Sequence, residues 1–308
     1  MPPALLTAIA MLLEGVSRKD LAVRAEKLSS AYRQGGTSAV IANEADALAY
    51  LVARMPATYA AIRAVLARMA EVAPEFRPAS FLDVGAGPGT AAWAVRDLWP
   101  SLEAVRLLEP NPTFRKLAAR LMPDADIVAG GWNAKLPHAD LVIASYMLAE
   151  LPKAEAAKSA EKLWSATDQM LVLIEPGTPQ GFARIRAARA ALVAAGGHVV
   201  APCTHDRDCP LQDGDWCHFS QRLARSRDHK LAKGADAPFE DERYSYVAVS
   251  RGPVDHAGRA RIIKPVLEGK PGLTLPLCDA AGLRNASVAR RDKGAFRAAR
   301  RKGWGDLF

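Results

Sequence analysis

No run of 18 apolar residues exists in this chain of 308 residues, so the sequence predicts no membrane-spanning helix. The opening segment, MPPALLTAIAMLLEGVSRKD, has an apolar stretch but no basic residue ahead of it, which disfavours a secretory signal. Glu14, Asp20 and Glu26 disfavour an arginine-rich, acid-poor mitochondrial presequence. On these absences the expected location is the cytoplasm of a bacterium. Cysteine is scarce, with four in the chain, and cytosolic thiols are expected reduced rather than paired in disulfides. Familiar catalytic signatures are also missing. The glycine-rich loop lacks the G-K-[ST] of a phosphate-binding NTPase loop, and its third glycine comes too early for a dinucleotide fingerprint. No N-P-P-[YF] follows the fourth predicted strand, and no C-x2-C pair or C-x3-C-x2-C run occurs.

What is present divides the chain by texture. Residues 1–76 show apolar spacing of helical period, broken at Gln34–Ser38, with Pro56 expected to interrupt the second segment. Residues 77–200 alternate short apolar strands with helices, the pattern of a parallel sheet covered on both faces. Residues 201–242 form a polar, Cys/His-rich insert whose shape a bound ligand is expected to hold. Residues 243–283 read as terminal strands completing the core, and residues 284–308 as a basic tail. The net charge is +8, and eight Lys/Arg stand against one acid between Arg284 and Lys302, a stretch expected to be helical. An anionic partner, most often nucleic acid, suits this imbalance.

The loop Asp83-Val84-Gly85-Ala86-Gly87-Pro88-Gly89-Thr90 lies between a strand and a helix, where a nucleotide-binding turn belongs. Its D-V-G-x-G-x-G-T pattern resembles motif I of class I S-adenosylmethionine-dependent methyltransferases. The resemblance implies a Rossmann-like α/β sheet. It also implies a cofactor site built from Asp83, Gly85, Gly87, Gly89, Thr90, Glu109 at the end of the second strand, and Trp132 or Asn133 after the third. Two carboxylate oxygens on Glu109 suit a vicinal diol. Asp140, Glu150 and Glu175 are polar residues near the same strand ends. No catalytic residue is identified.

The cysteines follow C-x5-C-x7-C-x60-C: Cys203, Cys209, Cys217 and Cys278. The first three stand among Asp, Pro, His and Gly, where a lone thiol gains little from packing. Four soft thiolates suit an iron–sulfur cluster or zinc. His205 and His218 are candidate supplementary ligands, and Trp216 and Phe219 candidate shielding groups.

The runs FLDVGAGPGTAAWAV, IEPGTPQGF, PCTHDRDCP, DWCHFSQRLAR and ARRKGWGD together resemble a methyltransferase-like family of small-ribosomal-subunit assembly proteins, found in mitochondria and with bacterial members. The resemblance extends from about residue 20 to the end of the chain. It implies a [4Fe–4S] cluster on the four cysteines, with zinc the alternative, and binding to the small subunit and its rRNA. A monomer with no membrane partner is expected. Candidate RNA contacts are Arg222, Arg225, Arg290, Arg291, Arg297, Arg300 and Arg301, with Trp216, Phe219 and Trp304 as stacking rings. Three functions follow: an rRNA methyltransferase, a cofactor-binding assembly factor without transfer activity, and a redox enzyme using the cluster. The absence of a flavin or nicotinamide fingerprint counts against the third.

Overall fold

The computed structural model describes residues 1–308. Four helices come first: α1 (Pro3–Leu12), α2 (Arg18–Arg33), α3 (Glu44–Ala53) and α4 (Met55–Val72). Their starts follow from local chemistry. Ser17 caps α2 by accepting from Asp20 N–H, and Asn43 caps α3 by accepting from Asp46 N–H. Pro56 lies in the first turn of α4, where its missing N–H costs nothing, so the break falls just before it at Arg54.

The central sheet is built from β1 (Ser80–Val84), α5 (Thr90–Leu98), β2 (Ala104–Glu109), α6 (Pro112–Leu121), β3 (Asp126–Ala129), β4 (Ala139–Ser145), α7 (Ala156–Ser165), β5 (Thr167–Pro176), α8 (Pro179–Ala194), β6 (His198–Ala201), β7 (Phe219–Ala224), α9 (Arg227–Lys233) and β8 (Phe239–Ser250). Its order is β3-β2-β1-β4-β5-β8-β6, with β7 on the outer part of β8. Strands β1 to β5 pair in parallel. β8 runs antiparallel to β5, β6 and β7, so the sheet is mixed and Rossmann-like: the strands of the stretch expected to be parallel are parallel, and β8, beyond it, reverses. The reversal has a topological cause: β8 returns from β7 and α9 as the far arm of a hairpin-like excursion, with no crossover helix to restore the parallel direction.

Alternation along the strands makes two cores. Phe81, Ile143, Val172, Ile174 and Ala248 face one side, against Ile62 and Leu66 of α4, Val95 of α5 and Phe114 of α6. Leu82, Val142, Leu171, Leu173 and Val249 face the other, against Leu163 and Trp164 of α7 and Ile185 and Leu192 of α8.

A second sheet follows, made of β9 (Arg261–Ile262), β10 (Leu267–Glu268), β11 (Gly272–Asp279) and β12 (Gly282–Ala289), closed by α10 (Lys293–Ala299). Ile262, Leu275, Leu277 and Phe296 form its own small core. The expected basic helix over 284–302 is therefore a strand followed by a seven-residue helix. The run GLRNASVA holds one charged residue, and its small and polar residues suit a half-exposed strand better than a helix. The expected polar insert at 201–242 also divides: residues 202–218 are irregular, whereas 219–242 hold β7, α9 and the start of β8.

Gly177 shows how tightly these parts meet. It follows β5, donates to the Arg243 carbonyl at 2.9 Å, and accepts from the Trp216 indole at 3.2 Å. A Cβ at this position would lie 2.7 Å from the backbone of Arg243 and Tyr244. Gly177→Ala is expected to destabilise the fold by about 1–3 kcal/mol. The measurement is a urea unfolding midpoint, and an unchanged midpoint would refute the close contact.

Candidate functional site: a glycine-loop cavity and a four-thiol cavity

A cavity of about 260 Å³ opens at the C-terminal ends of β1, β2 and β4, where open α/β sheets hold their ligands. Gly85 and Gly87 of the glycine loop, Glu109, Trp132 and Met147 line it. The loop needs glycine because Gly85, Gly87 and Gly89 have φ of 75°, 55° and 84°. A Cβ at Gly89 would also press on Met122 and Leu107. Glu109 accepts from Gly87 N–H and Asn111 N–H, each at 2.7 Å. Burial raises its pKa against the pull of these two donors. Of the residues named from motif I, Gly85, Gly87, Glu109 and Trp132 line the cavity, while Asp83, Gly89, Thr90 and Asn133 do not. The Asn133 carbonyl accepts from Lys162 at 2.6 Å, and Lys162 also lies 6.0 Å over the Trp132 ring.

The opposite wall comes from the N-terminal helices, through Tyr32, Gly35, Ser38, Tyr50, Arg54 and Thr58. Asn111, which caps α6, fastens this wall by donating to the Ser38 and Ile41 carbonyls at 2.9 and 3.0 Å. The Ser38 hydroxyl donates to Glu150 at 3.0 Å, and Glu150 is itself a wall residue. The sequence marks the helices but not the side chains that face the cavity, because these have the same spacing as ordinary core positions. It does not mark Tyr146 either. This residue lines the cavity at φ 60°, a strained backbone for a non-glycine residue. Its hydroxyl donates to Glu242 at 3.0 Å, with the Arg54 guanidinium 3.6 Å from the same oxygen. Glu175 is buried and accepts from Leu148 N–H. Asp140 lies away from the cavity and accepts from Ala79 N–H, Ser80 N–H and Gln169. It is a strand-end cap.

Cys203, Cys209, Cys217 and Cys278 all line a second cavity, of about 40 Å³, at the seam of the two sheets. Cys203 follows β6, Cys217 precedes β7, and Cys278 lies in β11. Burial pushes the Cys203 thiol up; it does the same to Cys217, where the other three thiols add to the effect. The Cys278 thiol is pushed up to about 12, by burial first and then by Cys203 and Cys209. Phe219, Tyr246, Arg189 and Arg261 share the lining. His205 Nε2 lies 3.8 Å from Cys278 Sγ. His218 stacks on Trp216 instead, and Trp216 is turned to the Gly177 carbonyl. As the side chains stand, no three His, Cys, Asp or Glu groups are placed to hold one metal ion. A single tetrahedral zinc, with Zn–S of about 2.3 Å, is therefore not preformed.

A family model described as mitochondrial small ribosomal subunit Rsm22 matches residues 44–308. The chain belongs to the Rsm22 family. Human "Ribosome assembly protein METTL17, mitochondrial" is 30% identical to this Rsm22-family chain over 292 residues, covering 86% of it and 63% of the human protein. "Rsm22-cox11 tandem protein 2, mitochondrial" of Schizosaccharomyces pombe is 27% identical, covering 94% of this chain and 46% of the yeast protein. The chain thus spans less than two thirds of the length of either relative. These relatives are mitochondrial by name, which overturns the expectation of a bacterial cytoplasmic protein. Among solved structures, the magnesium protoporphyrin IX methyltransferase of Synechocystis aligns at TM-score 0.42 and 14% identity, over 64% of this chain and 80% of its own. The plantazolicin methyltransferase BpumL aligns at TM-score 0.40 and 11% identity, over 80% of this chain and 99% of its own. The description of the Rsm22-family sheet as Rossmann-like rests on its strand order.

The basic residues of the Rsm22-family chain fall into two groups. Arg222 pairs with Asp241, Arg225 with Glu240, and Arg290 with Glu268. Arg225 is turned inward, its side chain 13% exposed. Arg291, Arg297, Arg300 and Arg301 are exposed around α10.

Asp83 is 1% exposed and neither carboxylate oxygen has a hydrogen-bond partner. Burial first, then the charge of Glu109, pushes its pKa up to about 8. The native chain therefore binds more protons than the unfolded one between about pH 4 and about pH 8, and stability falls as pH rises through that window. Asp83→Asn removes this dependence. Its urea midpoint is expected to exceed that of the unsubstituted protein by more at about pH 8 than at about pH 5; the same margin at both would refute the assignment.

Proposed function

We propose that this chain binds S-adenosylmethionine in the glycine-loop cavity, holds a [4Fe–4S] cluster on its four cysteines, and contacts small-subunit rRNA during ribosome assembly. The observation that carries the reading is the convergence of four thiols on one cavity, although Cys278 comes from a different sheet than the loop bearing the other three. Four thiols gathered this way repel one another once ionised, and a soft polynuclear metal group relieves that repulsion. Cys203, Cys209, Cys217 and Cys278 would hold it. When bound, the cluster supplies bonds that tie the irregular 202–218 loop to β11. Phe219 and Tyr246 keep water from it.

The first cavity suits S-adenosylmethionine through its residues. Gly87 leaves open space where a side chain would stand. Glu109 presents two oxygens to a ribose diol. The RNA reading draws on the family, whose human member is named a ribosome assembly protein, and on the exposed Arg291, Arg297, Arg300 and Arg301. Such arginines fix position on the phosphate backbone without reading sequence. A second reading, methyl transfer to that RNA, is favoured by the strained Tyr146 at the cavity wall, since strain concentrates where chemistry is arranged.

Protein purified without oxygen is expected to be brown and to hold about four iron and four acid-labile sulfide per chain. Colourless protein carrying one zinc would overturn the cluster reading. Glu109→Gln is expected to weaken S-adenosylmethionine binding about tenfold or more in calorimetry, with iron content unchanged. An unchanged affinity would count against the cofactor site. Methyl-labelled S-adenosylmethionine incubated with immature small subunits separates the two readings: unlabelled rRNA, with cofactor binding intact, removes methyl transfer.

A further inference from the structure

Two arginines that line the thiol cavity are deeply buried. Arg261 is 0% exposed and Arg189 is 5% exposed, and both line the cavity with the four cysteines. Arg261 donates from Nε to the Pro202 carbonyl at 2.8 Å and from Nη1 to the Gly305 carbonyl at 2.9 Å. Arg189 donates from Nη2 to the His205 and Arg207 carbonyls, each at 2.8 Å. Each keeps one buried nitrogen without a partner: Nη2 of Arg261 and Nε of Arg189. The nearest carboxylate to Arg261 is Glu71 at 4.0 Å, and Glu71 is partly exposed. Arg189 has no carboxylate within ion-pair distance. A guanidinium stays charged in any protein, and a buried charge without a counter-charge is costly. Arg189 therefore has no carboxylate to balance it, and Arg261 has only the partly exposed Glu71.

We propose that Arg189 and Arg261 are positioning residues that neutralise the thiolate-bound cluster and direct their free N–H groups at its sulfurs. This rests on the cluster reading above. Four thiolates around a core of charge two plus leave a net charge of two minus, and the two guanidiniums cancel it. Hydrogen bonds and positive charge near the sulfurs raise the reduction potential of such a cluster. The arginines also grip the carbonyls at Pro202 and His205, on either side of Cys203, so the counter-charge and the ligand loop are placed together.

The test uses full-length protein purified without oxygen, with Arg189→Gln, Arg261→Gln, Arg189→Lys and Arg261→Lys. Iron and sulfide are counted, and the midpoint is read by titration with dithionite. The glutamine variants are expected to have a more negative midpoint or a lower cluster content, while the lysine variants stay near the unsubstituted protein in both. Glutamine variants with full clusters and an unchanged midpoint overturn the proposal. Glutamine and lysine variants that fail together, in loading or in folding, also overturn it, because the arginines are then carbonyl anchors alone. Unsubstituted protein that takes up no iron and sulfide removes the cluster reading, and this inference with it, before any variant is read.

Discussion

Strand β8 is the constraint on which the rest of the structure depends. Its twelve residues bind β5 on one edge and β6 and β7 on the other. It also carries side chains to both cavities. Glu242 holds the Tyr146 hydroxyl at the glycine-loop cavity. Tyr246, four residues on and about 13 Å further along an extended strand, lines the thiol cavity. Between them the Ser245 hydroxyl donates to the Cys217 carbonyl at 2.8 Å. A shift of β8 by one residue would turn Glu242 and Tyr246 to the opposite face and empty both sites together.

The two cavities differ in how they are held. The glycine-loop cavity has one wall of sheet and one of helices, joined by side-chain hydrogen bonds at Asn111 and at Ser38. Such contacts are individually modest, but α3 and α4 also share the main core with the sheet. The thiol cavity is held from two sheets, by Cys278 on β11 and by the loop after β6. Apart from the arginine anchors, little regular structure supports residues 202–218. A covalent metal group there would supply what secondary structure does not.

The sequence was most legible where chemistry leaves no alternative residue. Positive φ at Gly85, Gly87 and Gly89 admits almost nothing but glycine, so the loop announced itself. Cys203, Cys209 and Cys217 stood out in a similar way, because their sequence neighbours are polar, although Cys203 and Cys217 do pack against the two cores. The direction of β8 was not legible, because RYSYVAVS has the same apolar pattern in either orientation, and the four-residue β6 is too short to carry a period. Arg189 was hidden for a different reason. In GFARIRAARAAL it looks like any exposed helix arginine, and only the position of the cysteine loop, distant in sequence, buries it. Arg225, expected at a surface, was drawn inward by Glu240 on the neighbouring strand. Residues whose role depends on a partner far along the chain carry no local mark.

Arg261 reaches from the Pro202 carbonyl to the Gly305 carbonyl, and Ala260 exchanges backbone hydrogen bonds with Phe308. The wall of the thiol cavity therefore draws on residues about a hundred positions apart. During synthesis the loop bearing Cys203, Cys209 and Cys217 emerges long before the residues that enclose it. Contacts of such long range form late, so in the growing chain three thiols are exposed while the fourth and its arginine are still being made. Enclosure of this cavity therefore waits on residues from 261 to 305, which follow the first cysteine by about sixty to a hundred positions.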